Sequence, residues 1–152
     1  TPSMPLDRSL RSLADDVDFL LVDGAAKSKE RTAQVVRVAD AHLIPVRPSG
    51  ADLWASEWLV KAVRERQKAE GKPVAAFVVS QQRARTNLSK EIGDVLEGYG
   101  LPVLEGRTSQ RVAYAEALSV GSTVLDTDPT GKAAAEIRQI AADTLDLIQQ
   151  AS

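Results

Sequence analysis

Short apolar runs rich in valine, isoleucine and leucine recur along the chain, each closed by turn residues and most followed by a stretch with helical spacing. Strand-helix-strand units produce that alternation. The runs at residues 17–22, 42–46, 74–79 and 102–104, with a weaker one at 123–125, predict strands. Most are apolar at nearly every position rather than every second one. Strands of a parallel sheet read this way because crossover helices cover both faces, whereas an antiparallel sheet with one wet face alternates. The predicted architecture is α/β: a doubly wound, mainly parallel sheet with helices on both faces.

Helical spacing fills the intervals. Residues 51–70 carry Leu53, Trp54, Trp58, Val60 and Val63 before Gly71 and Pro73 stop the pattern. Ile92, Val95, Leu96 and Tyr99 predict a second helix, ended at Gly98 or Gly100. A last helix is expected with Asp128 as its cap, Pro129 in its first turn and one stripe of Ile137, Ile140, Ala141, Thr144, Leu145 and Ile148. Residues 1–14 read as a short amphipathic helix leading into the first strand.

At 152 residues and 43% hydrophobic, the chain can bury one sizeable core, so a single domain over 1–152 is expected. The formal charge of -2 gives no global basic footprint, and any nucleic-acid contact would need a local patch. Cysteine is absent, which removes disulfides, thiolate metal sites and cysteine nucleophiles. The one histidine, His42, falls inside a predicted strand and reads as structural. No apolar run approaches the roughly 20 residues that span a bilayer, so a cytoplasmic protein without membrane contact is expected.

Three segments carry candidate chemistry. The first predicted strand delivers Asp23 and Gly24 at its carboxyl end, where open α/β sheets bind ligands. Asp23 could hold a water on Mg²⁺, or it could open a turn with Gly24. The second strand ends as Pro45-Val46-Arg47-Pro48-Ser49-Gly50-Ala51-Asp52, where two prolines fix an extended backbone that suits either a ligand edge or a rigid turn. In the third segment Arg111, Tyr114 and Glu116 make a surface constellation or an ordinary exposed helix, and spacing does not separate these. Arg83, Arg85, Arg107 and Arg111 flank one helix-strand unit and could gather to meet phosphates, or they form an ordinary solvated surface in a chain that is 26% charged.

Taken in order, "DFLLVDGAA", "DAHLIPVRPSGADLWA", "GKPVAAFVVSQQ" and "TSQRVAYAEALSVGSTVLDTDPTGKAAAEI" resemble the deviant-Walker ParA partition ATPases, in particular the small ParF-like branch. The resemblance spans nearly the whole chain. It implies a P-loop NTPase-like fold that binds ATP and Mg²⁺, self-associates as a dimer or polymer, binds DNA non-specifically and answers to a centromere-binding partner. On that resemblance Asp23 matches the carboxylate tied through water to Mg²⁺ and to catalysis. Pro45, Arg47, Pro48, Ser49 and Asp52 match the proline-rich motif near the adenine and the subunit contact, with Ser80 after the third strand on the same side. Arg107 and Arg111 fall where relatives bind DNA. The chain departs from the pattern at Ser80-Gln81-Gln82, where relatives often carry asparagine or threonine and a basic residue.

The family's first strand and lysine-rich phosphate loop have no counterpart in these residues. Gly71-Lys72 is followed by Pro73 and Gly131-Lys132 by Ala133, so neither supplies the backbone cradle that triphosphate needs. The expectation is that residues upstream of Thr1 are missing or that the chain is shortened, and that alone it does not turn over ATP. The alternative is a non-catalytic interaction or oligomerisation module derived from that fold.

Overall fold

The computed structural model describes residues 6–24, 28–82 and 87–150, apart from the side chains of residues 7 and 87–91. The chain forms helices α1 (Leu6–Ala14) and α2 (Lys29–Val38), strand β1 (Ala41–Val46), helix α3 (Gly50–Glu70) and strand β2 (Val74–Val79). Helices α4 (Asn87–Glu97), α5 (Val112–Ser119), α6 (Val124–Thr127) and α7 (Lys132–Gln149) follow. Arg83 and Arg85 lie outside the described residues.

β1 and β2 pair as a two-stranded sheet. The bonds from Val74 N–H to Asp40 O (2.9 Å) and from Ser80 N–H to Val46 O (2.8 Å) keep one sequence offset at both ends, the mark of parallel strands. Val46 turns its carbonyl toward β2, so the alternate residue Pro45 turns away, and its missing N–H removes no bond of this ladder. The expected strand at 102–104 contributes a parallel bridge between Phe77 and Val103, and a second bridge joins Gln82 to Ser109. The fold is α/β as predicted, with parallel pairing throughout these contacts.

Two expected strands do not form. Residues 17–22 belong to no strand, and Phe19 and Leu21 are 70% and 94% exposed. A strand is held by its neighbours, and among the described residues none pairs with this run. Residues 123–125 instead open α6. Thr123 Oγ1 accepts from Leu125 N–H (3.2 Å) and donates to Asp126 (2.8 Å), a reciprocal cap that stabilises one helical turn. Asp128 consequently closes α6, and the cap of α7 is Gly131 rather than Asp128. The Asp128 carboxylate occupies the space a Cβ on residue 131 would need, so a side chain there would have to displace it.

The described residues group into two compact units, residues 1–42 with 58–74, and residues 43–57 with 75–152. In the first, α1 packs on α2, whose cap Ser28 accepts from Arg31 N–H at 3.2 Å. Arg66 donates to the carbonyls of Val36 and Ala39 (2.7 Å for the latter), satisfying acceptors left over at the end of α2. Burial lowers the His42 pKa, so the ring stays neutral within β1. In the second unit Ala76, Val78 and Leu104 form a core with Leu43, Ile140 and Leu147 packed against it. The last helix thus covers the sheet through Ile140, while Leu145 of its expected stripe remains exposed.

Candidate functional site

The carboxyl ends of β1 and β2 and the segment after residue 104 come together in the second unit. Beyond β1 the chain bends through Pro48 and Ser49, whose N–H returns to Arg47 O at 2.7 Å. Ser49 then caps α3, its hydroxyl accepting from Asp52 N–H at 3.2 Å and its carbonyl from Leu53 N–H at 3.2 Å. Arg47 grips Asp52 in a two-point pair, Nε to Oδ2 at 2.6 Å and Nη2 to Oδ1 at 3.0 Å. The hydrogen bond from Arg47 holds the Asp52 carboxyl below its usual range, and the same bond raises Arg47. Pro45 is exposed on the outer side of β1.

Beyond β2, Ser80 is tied to Val46, and Gln81 takes a left-handed backbone with φ 52°. That conformation is unfavourable for a residue with a Cβ, and it is held here by tertiary bonds. Gln81 N–H donates to Thr108 Oγ1 at 3.0 Å, Gln82 N–H to Thr108 O at 2.8 Å, and Gln110 N–H to Gln82 O at 3.0 Å. Hydroxyls and amides from 49, 80–82 and 108–110 therefore share one sheet edge, the place where doubly wound folds take ligands. Of the residues the sequence singled out, Arg47, Ser49, Asp52 and Ser80 meet here. Asp23 is exposed and belongs to the first unit.

The expected DNA-facing arginines differ from each other. Arg107 is exposed and donates Nε to the Glu105 carbonyl at 3.1 Å. Arg111 is committed to Glu136, with Nε at 2.9 Å and Nη2 at 2.7 Å from Oε1. Glu136 also accepts from Ser109 Oγ (2.8 Å), Ser109 N–H (3.1 Å) and the Tyr114 hydroxyl (2.7 Å). Burial alone would raise the Glu136 pKa, but the hydrogen bonds from Arg111, Tyr114 and Ser109 outweigh it and hold the group at about 2. Burial and the bond to Glu136 push the Tyr114 hydroxyl upward. This knot pins the 108–110 loop to α7, beside Gly106, whose N–H donates to Asp143 at 2.6 Å and whose α-carbon lies so near Ile140 that no side chain fits. Glu136 had no local signal in the sequence, because its partners lie more than twenty residues away.

The amides and hydroxyls along this edge are largely bonded to one another. Arg47 and Arg111 are already paired, no group of His, Asp or Glu among the described residues could hold a metal ion, and the sequence contains no phosphate loop.

No family model matches the chain. It is 32% identical over 135 residues to maintenance of carboxysome distribution protein A of Halothiobacillus neapolitanus, a match covering 88% of this chain and 62% of that protein. The cell division ATPase MinD of Pyrococcus furiosus superposes with a TM-score of 0.71 at 19% identity, covering 93% of this chain and 57% of MinD. The chain has that α/β fold over the matched span, and spans about three-fifths of the length of either relative. No described helix is long and apolar enough to cross a membrane.

Proposed function

We propose that the chain is the base-side part of a ParA/MinD-type ATPase acting in partition or intracellular positioning. The observation that carries this reading is the meeting of Arg47, Ser49, Asp52 and Ser80 at the carboxyl edge of a parallel sheet, in a chain similar over most of its length to a distribution protein. In that reading the 45–52 turn and Ser80 border the base, and Asp23 serves the Mg²⁺-bound water when the phosphate-binding portion is supplied. ATP with Mg²⁺, self-association, a centromere-type partner and non-specific DNA are the ligands of the whole protein. Arg107 is the better placed of the two arginines for a phosphate contact, since the Arg111 charge is met by Glu136.

On its own the chain supplies no phosphate cradle, so calorimetry with Mg-ATP should show no heat of binding and a phosphate-release assay no turnover. Micromolar binding of Mg-ATP to this chain would overturn that part of the reading. A second reading, an interaction module, draws on the exposed Phe19 and Leu21 in an unpaired apolar run. Concentration-dependent association without nucleotide, abolished by Phe19→Ser, would favour it.

A further inference from the structure

Asp23 and Gly24 form the only aspartate-glycine pair in the chain, and the one asparagine, Asn87, precedes leucine. Such a pair carries a latent intramolecular reaction. The backbone nitrogen of the second residue can reach the side-chain carboxyl carbon of the first, and glycine has no Cβ to obstruct the approach. A fold suppresses the attack by hydrogen-bonding that nitrogen and by packing that fixes the torsions on either side of it.

Most other aspartates are protected in this way. The Leu53 N–H after Asp52 is bonded to Ser49 O at 3.2 Å, and the Thr127 N–H after Asp126 to Thr123 O at 3.0 Å. Asp94, Asp143 and Asp146 lie within helices, where the next N–H is bonded to the preceding turn. Asp128 precedes Pro129, which has no N–H. Residues 18–24 differ: they belong to no helix or strand, and they make no hydrogen bond among the described residues. Asp23 is exposed, Leu21 is 94% exposed, and a Cβ on Gly24 would meet nothing within 4 Å. Neither a bond nor packing holds this pair.

We propose that Asp23-Gly24 is a site of spontaneous isomerisation, with water as the only co-reactant. The Gly24 nitrogen attacks Asp23 Cγ, a C–N bond closes a succinimide ring, and the carboxyl hydroxyl leaves with the amide proton as water. Water then adds to one ring carbonyl and breaks its bond to that nitrogen. Opening at Cγ restores aspartate. Opening at the main-chain carbonyl leaves Gly24 attached through Cγ, which is isoaspartate: the backbone gains a methylene and the carboxylate sits on the α-carbon. The water lost is regained, so mass is unchanged and no electrons are exchanged. Where Asp23 serves the Mg²⁺-bound water, as in the reading above, the conversion withdraws that carboxylate, but the isomerisation does not depend on that reading.

Incubating the full chain in heavy-oxygen water at neutral pH follows the reaction directly. Each ring opening inserts a solvent oxygen at the modified residue, and electron-transfer fragmentation distinguishes isoaspartate from aspartate. A free peptide of residues 19–27 gives the rate without a fold. In the full chain, label and isoaspartate should accumulate at Asp23 at a rate within about 10-fold of the peptide's, because no unfolding step precedes the attack. Asp18 is equally exposed and unbonded but precedes Phe19, and should stay unlabelled. Gly24→Ala should slow the reaction about 10-fold. Greater protection of Asp23 relative to the peptide would show that the fold holds the pair, and would overturn the proposal. So would equal labelling at Asp18, or a Gly24→Ala chain that labels as fast as wild type.

Discussion

Arg47 reaches Asp52 across five residues of chain, and its side chain stays 60% exposed. Arg111 reaches Glu136 across 25 residues, where the carboxylate is 16% exposed and takes three further hydrogen bonds. Both are arginine-carboxylate pairs in the same compact unit. The first sits in water, which screens it and competes for its donors, and it links residues the turn already holds close. The second is half-buried and joins a loop to a helix that the chain otherwise leaves far apart. The chemistry is shared, and the environment and the loop it closes separate a local ornament from a structural tie.

Removing the tie should therefore have the largest effect. Glu136→Ala leaves Arg111, Ser109 and Tyr114 without their acceptor, and should cost about 3 kcal/mol, or a melting temperature lower by roughly 6–12 °C. Glu136→Gln keeps an acceptor oxygen and should lose about half as much. Urea unfolding of the three proteins measures both. A Glu136→Ala chain as stable as wild type would show that the half-buried knot is no stronger than the surface pair.

Acid provides a graded version of the same test. The Glu136 carboxyl is depressed from an ordinary 4.5 to about 2, so the unfolded chain takes up the proton first. Its contribution is complete above 4.5 and is lost as the pH falls through about 2, on the order of 3 kcal/mol in all. The stability difference between wild type and Glu136→Gln should be flat above that window and close within it. A difference that persists at the acid end would mean that shape rather than charge holds the knot.

The same contrast governs what could be read from the residues alone. The 45–52 turn was legible because its parts are neighbours: a proline-bounded strand end, a serine cap and an aspartate three residues on. β1, β2 and the long α3 were legible from continuous apolar runs and helical spacing. The run at 17–22 has equal strand character, yet a strand depends on a partner that its own residues do not encode, and here Leu21 faces solvent. Residues 123–125 carried a local signal that favoured helix, Thr123 followed three residues later by Asp126, and it prevailed over β-branched composition. Ser28 announced α2 in the same way, and no helix had been expected there. Glu136 and the left-handed Gln81 answer to tertiary bonds from distant residues, which spacing along the chain does not reveal.

The smallest expected effect lies at the surface pair. Arg47→Ala removes both bonds to Asp52, but Asp52 then returns to water, and the α3 cap rests on Ser49 rather than on the arginine. The melting temperature should be unchanged within error. Ser49→Ala, by contrast, deprives the Asp52 N–H of its acceptor and should cost about 1 kcal/mol. Thermal melts of both variants separate the two contributions within one turn. If Arg47→Ala proved the more damaging, the pair would be bracing the strand-to-helix bend, and exposure would no longer explain why it differs from Arg111 with Glu136.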